Sequence, residues 1–407
     1  MLNRLLKTEN RELPALGWSF GYFFLLLASY YLLRPIRDSL AIETGTDALR
    51  WLFAATFLAM LAMVPLFGWL CSRFPRKTLL PLVYGFFAIN ILMFSFYLNT
   101  WIFFIWLSVF NLFAVSVFWS FMADLFDTPQ AARLYGSIAA GGSCGAIAGP
   151  LIAALLSTKI QTEGLLLLAA GMLFLMILCI RKLARWAEAH PRAGEPPPEE
   201  PIGGSIVAGA RAALSSPFLL AVCGYLFCYT ALSTALYFQQ VEILREALPD
   251  RAERMRFLSS VDLVVNGLTL IVQLAAFSRL AAILGPIGML AAMPVVSVAG
   301  FLWLGASPTL AALVVFGVTR RAGEFAISKP ARETLFTAVP REERYKAKNF
   351  IDTVVYRGGD ALSGWMFAGP AAFLAAGLAA VWTGLAVYLG TRMKSWTGKD
   401  VLSLRRL

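Results

Sequence analysis

An all-α polytopic membrane protein, with twelve transmembrane helices arranged as two six-helix bundles, is the fold class that this 407-residue sequence predicts. Three observations carry it. Hydrophobic residues make up 59% of the chain and charged residues 14%, and the mean hydropathy of +0.70 is too high for a water-soluble globule of this size. The apolar residues fall into runs of about 20, the length an α-helix needs to cross a hydrocarbon core of roughly 30 Å. The longest polar stretch, Arg181 to Ser216, separates the sixth run from the seventh; it contains AHPRAGEPPPEEPIGG, a proline-, glycine- and glutamate-rich composition that marks a linker.

In chain order the expected spans are 16–36, 51–71, 78–98, 101–121, 134–156, 164–182, 217–238, 257–278, 283–304, 308–328, 349–368 and 371–390. The domains that follow are a bundle over 1–182, a linker over 183–216 and a second bundle over 217–407. An even number of spans puts both termini on one side. Of the 35 lysines and arginines, 26 fall on that side and 6 on the other (Arg50, Lys159, Arg245, Arg251, Arg254 and Arg256), while Arg34, Arg37 and Arg357 lie inside spans. The positive-inside rule then places the termini and the linker in the cytoplasm of a bacterial-type inner membrane, and it accounts for the net charge of +11 without invoking nucleic acid. The first run is followed by Arg34 and Arg37 instead of a small-residue cleavage site, so it is expected to remain as a span and not to be removed as a signal peptide. Cysteines 71, 144, 179, 223 and 228 sit within or beside apolar runs with no CxxC pair, which argues against structural disulfides. The single histidine, His190, cannot build a multi-histidine metal site, and no cofactor is expected.

Two motifs bear on the family. The turn between spans 2 and 3 reads Gly68-Trp69-Leu70-Cys71-Ser72-Arg73-Phe74-Pro75-Arg76-Lys77, which resembles the loop signature G-x-L-x-D-R-x-G-R-K of the major facilitator superfamily, with Ser72 in place of aspartate and Pro75 in place of glycine. Read alone, it is also compatible with an ordinary basic turn. In span 5, Gly136, Gly145, Gly149 and Pro150 have the spacing g-x8-G-x3-G-P and are followed by Ala153-Ala154, similar to the antiporter motif of the same superfamily. Small residues on one helical face allow helices to approach closely, and proline bends the span, so this motif is expected at a tightly packed, rocking interface. The run neither follows a strand nor carries the Lys-Ser/Thr of a P-loop, so it is no phosphate cradle.

Three further segments, YYLLRPIRDSL (30–40), FWSFMADLFDTPQAARLYGSIAAGG (118–142) and RYKAKNFIDTVVYRGGD (344–360), resemble the ATP/ADP translocase family of plastids and energy-parasitic bacteria. That resemblance implies a major facilitator fold and exchange of an organic anion. It also has departures: Arg37 and Asp360 stand where the exchangers have lysines, and no acidic residue between Trp101 and Ala123 matches their span 4 glutamate. The resemblance therefore carries architecture further than nucleotide specificity. An internal echo supports two repeated halves: Leu125-Phe126, Arg133 and Gly149-Pro150 recur as Leu335-Phe336, Arg344 and Gly369-Pro370, at offsets of 210 to 220 residues.

Charges inside spans supply the candidate site, since each costs about 2.5 kcal/mol or more and persists where it faces a cavity or a partner. Span 1 offers Arg34, Arg37 and Asp38, with Arg34 and Asp38 at i, i+4; they line a path or snorkel together at the interface. Span 10 offers Arg320, Arg321 and Glu324, as substrate ligands or as a structural Arg320–Glu324 bridge. Span 11 places Asp352, Tyr356 and Asp360 at i, i+4, i+8 with Arg357 adjacent, putting Asp360 near mid-bilayer at about 1.5 Å per residue. Span 8 carries the stripe Asp262, Asn266, Thr269 and Gln273, facing water or gluing helices by hydrogen bonds. The expected substrate ligands are Arg34, Arg37, Arg320, Arg321, Arg357, Asn266 and Gln273; the expected coupling or gating residues are Asp38, Glu324, Asp352, Asp360 and Asp262.

These readings favour a secondary transporter that moves an anionic organic solute, phosphorylated or not, by alternating access, through exchange or proton coupling. A nucleotide antiporter proper and a proton-coupled efflux transporter are the alternatives. A lipid-headgroup enzyme would need a convergent acid–base, nucleophile or metal cluster, and the sequence offers none. The expected partners are the small anion and membrane lipids, not nucleic acid, and the expected state is a monomer.

Overall fold

The computed structural model describes residues 11–73, 76–190, 214, 216–336, 350–367 and 371–404. Among them every expected span is a helix, and there is no strand: α1 Leu13–Thr44, α2 Thr46–Arg73, α3 Arg76–Phe96, α4 Thr100–Leu125, α5 Thr128–Leu156, α6 Thr162–Ala189, α7 Pro217–Ala247, α8 Arg251–Ile271, α9 Phe277–Ala306, α10 Leu310–Gly323, α11 Tyr356–Met366 and α12 Ala372–Leu404. Several outrun the expected spans. α1 continues past 36 to Thr44, α6 past 182 to Ala189, α7 past 238 to Ala247 and α12 past 390 to Leu404. At 1.5 Å per residue the 32 residues of α1 span about 48 Å, longer than the hydrocarbon core, so the polar ends of these helices lie beyond the apolar windows that reveal them in the sequence.

Local chemistry sets the ends. Asn99 caps α4 by accepting from the Ile102 N–H at 3.1 Å, Thr309 caps α10, and Asp127 forms a reciprocal capping box with Gln130 at the start of α5. Each such cap contributes about 1 kcal/mol. Gly45, at φ 80°, turns α1 into α2 through a single left-handed residue that only glycine adopts without strain. Gly285, at φ 61° just before Pro286, kinks α9 in the same way.

Among the described residues, three π turns lie in the second half of the chain. Val272–Ala276 joins α8 to α9, Glu324–Ser328 prolongs α10 into the helical segment Lys329–Leu335, and Ile351–Val355 precedes α11. By length and apolar composition alone, nine stretches of the described residues qualify as membrane spans. The difference from twelve arises because α8 and α9 run together as Arg251–Ala306, while the π turns shorten α10 and α11 below the qualifying length.

The described chain divides into two compact units: residues 11–43, 58–190 and 248–266 in one, and 44–57, 216–247 and 267–404 in the other. In the first, α3 packs along α6, and α5 lies on α1 with glycines at the contact. A side chain at Gly145 or Gly149 of the motif would strike the backbone carbonyl of Phe24 or Ala28, as one at Gly141 would strike that of Phe20, whereas one at Gly136 meets nothing within 4 Å; the later part of the motif thus brings α5 against α1 within one unit. Aromatic packing fills this core: Phe23 stacks on Phe118 at 4.1 Å, and Tyr22 meets the edge of Phe118 at 4.8 Å. Tyr22 donates to the Tyr84 hydroxyl, and Tyr84 to the Ala114 carbonyl, tying α1, α3 and α4 together.

The second unit repeats this plan. α9 packs along α12 as α3 does along α6, and Tyr225 of α7 donates to the Leu290 carbonyl of α9 as Tyr22 of α1 donates into α3. Trp382 is its largest fully buried side chain, with Tyr225 at 5.3 Å and Tyr229 at 6.0 Å. On the outside, large apolar side chains such as Leu58, Leu82, Phe86, Leu274 and Leu374 are exposed. A surface of this kind suits lipid and not water.

Candidate functional site

The intramembrane charges gather into two groups, one in each unit. In the first unit α1 carries Arg34, Arg37 and Asp38, and Asp262 of α8 faces Arg34. Arg34 bridges two carboxylates, with Nε 3.7 Å from Asp38 Oδ2 and Nη1 3.7 Å from Asp262 Oδ2. Neither distance is a hydrogen bond, and Arg34 Nε, though buried, has no hydrogen-bond partner. Arg37 grips Asp38 more closely, donating from Nε at 2.9 Å and Nη2 at 2.6 Å, while its guanidinium lies 5.0 Å from the centre of the Phe104 ring. Asp38 and Asp262 are both buried, so the i, i+4 pair on α1 turns inward instead of snorkelling. The group holds two arginines and two aspartates and is formally neutral.

A second set of charges, farther along α1, fastens α8 there. Glu43 accepts from Arg251 Nε at 2.7 Å and from Arg254 Nη2 at 2.6 Å. The buried Arg254 also donates to the carbonyls of Leu248 and Pro249 and to Ser39 Oγ. None of these was a sequence candidate, because Glu43, Arg251 and Arg254 lie beyond the apolar windows of spans 1 and 8. Asn266 follows on α8 and donates to the Ala146 carbonyl of α5 at 2.6 Å.

In the second unit Arg320 is the central cation, 3% exposed. Its partners are neutral: Nε donates to Ser297 Oγ at 3.2 Å, and Nη2 to Ser233 Oγ at 3.0 Å and the Tyr229 carbonyl at 3.2 Å. Its guanidinium lies 5.5 Å from the centre of the Tyr229 ring. Among the described residues no carboxylate comes within ion-pair distance of it, so the expected Arg320–Glu324 bridge is replaced by bonds to α7 and α9. Glu324, one turn on, is buried, and its Oε2 has no hydrogen-bond partner. Arg321, its neighbour, is half-buried.

Beside this lies α11. Tyr356 packs on Tyr229 with ring centres 5.9 Å apart, and the Arg357 guanidinium lies 5.3 Å from the Tyr356 ring. Asp360 accepts from the Thr234 hydroxyl at 3.4 Å, and its Oδ2 lies 3.8 Å from Arg357 Nη1, both loose contacts. Gly359 permits this approach, since a side chain there would strike Thr230 of α7. Gln273, in the π turn after α8, donates to the Phe325 carbonyl in the π turn after α10 at 3.1 Å. Both amides of the α8 stripe, Asn266 and Gln273, thus bind backbone carbonyls of other helices. The Asp352 side chain, Phe74-Pro75 of the signature turn, residues 344–349 and Gly369-Pro370 lie outside the described residues.

The arrangement can bind and release charge, and among the described residues no cluster of histidine, cysteine or carboxylate side chains could hold a metal ion. Comparison with solved structures finds the same fold with low sequence identity. The nucleoside transporter NupG matches with a TM-score of 0.68 at 13% identity, over 94% of this chain and 99% of that one. A bacterial homologue of the iron transporter ferroportin matches at 0.65 and 11%, over 95% and 99%, and a bacterial homologue of the human lysosomal transporter Spinster at 0.59 and 16%, over 94% and 95%. No curated protein matches the sequence. The family model described as Major Facilitator Superfamily matches residues 18–359, across both groups of intramembrane charge up to Gly359. With its all-helical described residues and lipid-suited surface, the chain belongs to that superfamily as an integral membrane transporter, not an enzyme.

Proposed function

We propose that this transporter moves an anionic, phosphorylated organic solute across a bacterial inner membrane by alternating access, as a monomer with both termini in the cytoplasm. The observation that carries the reading is Arg320: a guanidinium buried in a span and hydrogen-bonded only to neutral groups, with Glu324, the carboxylate one turn on, acting on it from outside ion-pair distance. Such a charge is costly in a membrane unless an anion shares its site, and a guanidinium binds phosphate or carboxylate through a two-pronged fork. Arg321 and Arg357 lie in the same unit, Arg357 loosely paired with Asp360, while Arg34 and Arg37 of the other unit are held by Asp38 and Asp262. Asp360, Glu324, Asp38, Asp262 and Asp352 are the groups assigned to coupling or gating, by exchange or by carrying protons. In this reading Asn266 and Gln273 line the substrate path once their helices part.

Nucleotide exchange proper is the second reading, favoured by segments 30–40, 118–142 and 344–360; the glycine motif of α5 favours a third, proton-coupled efflux. Thermal unfolding of the purified protein with nucleotides, sugar phosphates, dicarboxylates, nucleosides and organic cations separates them, because a ligand that binds only the folded state raises its melting midpoint. Stabilisation by phosphate esters, absent in Arg320→Leu, is the expected outcome. Stabilisation by cations or neutral nucleosides alone overturns the anion reading.

A further inference from the structure

Beyond Arg320 the second unit holds a polar track that the sequence did not disclose. Arg320, Glu324, Ser328 and Arg332 recur every four residues from α10 through the π turn into Lys329–Leu335. Four residues of α-helix overshoot a full turn by about 40°, so three such steps would carry the last side chain about 120° around the axis. The wider π turn at Glu324–Ser328 winds back part of that drift and keeps the track on one side. Glu324 is 6% exposed, Ser328 1% and Arg332 7%.

The three converge, Arg332 acting on Glu324 more strongly than Arg320 does and Ser328 lying beside the same carboxyl, yet Glu324 Oε2, Ser328 Oγ and Arg332 Nε are each buried without a well-formed hydrogen bond. Arg332 forms a loose ion pair through Nη2 with Glu333 at 3.9 Å, which leaves its Nε without a hydrogen bond. Tyr225, which packs nearby, already gives its hydroxyl hydrogen to the Leu290 carbonyl. Buried polar groups left in this state are costly, and three on one track call for a guest that satisfies them together. The guest must offer one O–H to Glu324 Oε2 and at least two acceptor oxygens, to Arg332 Nε–H and the Ser328 hydroxyl. Arg332 offers the track a guanidinium whose Nε–H is still free of a hydrogen bond, a donor that suits an oxyanion.

We propose that Glu324, Ser328 and Arg332 form an anion station for a singly protonated phosphate group, whether of a phosphate ester or of inorganic phosphate, placed beyond Arg320 along α10. The proposal rests on the anionic reading of the substrate. Arg332 and Ser328 accept the charge, and Glu324 recognises the proton, so the station discriminates phosphate from sulfate, which has the same shape and charge-bearing oxygens but no proton to give near neutrality.

Calorimetric titration of the purified full-length protein at about pH 6, where a phosphate ester still holds its second proton on about half of the molecules, tests it with inorganic phosphate, methyl phosphate and sulfate. The wild type is expected to bind both phosphates roughly tenfold or more tightly than sulfate, as a site built to hydrogen-bond a substrate O–H rejects the analogue without it. Methyl phosphate binding as well as inorganic phosphate assigns the station to the ester; inorganic phosphate binding alone assigns it to the free ion. Glu324→Gln, which replaces an acceptor with an amide donor, should let sulfate bind as well as phosphate. Arg332→Gln should weaken every anion about tenfold, and Arg332→Lys should recover part of the loss. Equal binding of phosphate and sulfate by the wild type, or phosphate binding indifferent to Arg332 and Glu324, overturns the station and leaves the anion reading standing. So does the absence of phosphate binding in a protein that still exchanges other organic anions, in which case water alone fills the track. Absence of both anion binding and anion transport overturns the reading beneath it.

Discussion

At the scale of single residues, the account depends on charges kept inside the membrane at a cost to stability. Arg320 is the sharpest case. Its bonds to Ser297, Ser233 and the Tyr229 carbonyl are all to neutral groups, and Glu324 acts on it only from outside ion-pair distance; a charge in a span costs about 2.5–3.5 kcal/mol. Arg320→Leu is therefore expected to melt at the same temperature or higher while losing anion uptake by at least tenfold, measured side by side in detergent and in liposomes. A variant that melts lower and transports normally would show the arginine to be a packing element. Asp360 belongs to the same scale. Its contacts to Thr234 and Arg357 are long, so Asp360→Asn should leave folding nearly intact. We expect exchange at equilibrium to survive in that variant and accumulation driven by a proton gradient to be lost; unchanged accumulation would remove Asp360 from coupling.

Helices and their contacts form the next scale, and here glycines and one ion-pair cluster can be weighed. Gly145 and Gly136 share α5, yet a side chain at Gly145 would strike the Phe24 carbonyl, whereas one at Gly136 meets nothing within 4 Å. Gly145→Ala should destabilise by about 1–3 kcal/mol through overpacking. Gly136→Ala should be neutral, or stabilising by up to about 1 kcal/mol through helix propensity. Equal melting midpoints for the two variants would contradict the close packing of α5 on α1. Glu43 is the acceptor that Arg251 and the buried Arg254 share. Glu43→Gln should weaken the attachment of 248–266 to α1 by about 1–3 kcal/mol, read as faster amide exchange across those residues.

Much of this scale was legible in the sequence. The described residues of all twelve expected spans are helical because runs of about 20 apolar residues have few alternatives in lipid, and the glycine spacing of α5 announced a close helix contact. The helix ends were less legible. Glu43, Ser39, Arg251 and Arg254 lie where α1 and α8 project beyond the apolar core, and hydropathy says nothing about which polar residues there will meet. The π turns were not legible at all, since Glu324–Ser328 has no local composition that distinguishes it from ordinary helix. For that reason Ser328 and Arg332 went unnoticed, although their four-residue spacing from Arg320 is plain in retrospect. Arg34 and Asp38 were paired correctly from i, i+4 spacing, while Arg320 and Glu324, at the same spacing, were not: Ser297 and Ser233, on other helices, supply the arginine's partners.

For the molecule as a whole, membership of the Major Facilitator Superfamily and a fold shared with transporters of unrelated sequence establish the machine and leave its cargo to the charges. Five arginines and five carboxylates are the charged candidates in or beside the spans, so selectivity cannot come from net charge and must come from which groups are already paired. Arg37 is held by Asp38; Arg320 is held by no carboxylate of the described residues. Counterflow in proteoliposomes measures the consequence most directly. Vesicles are preloaded with unlabelled nucleotides, sugar phosphates or dicarboxylates, and the entry of the labelled counterpart is followed, with nucleosides and organic cations as comparison solutes. The account predicts that a phosphorylated anion is exchanged, that Arg320→Leu abolishes the exchange, and that neutral and cationic solutes stay outside. Exchange of nucleosides or cations, with phosphorylated anions left outside and Arg320→Leu without effect, would contradict it.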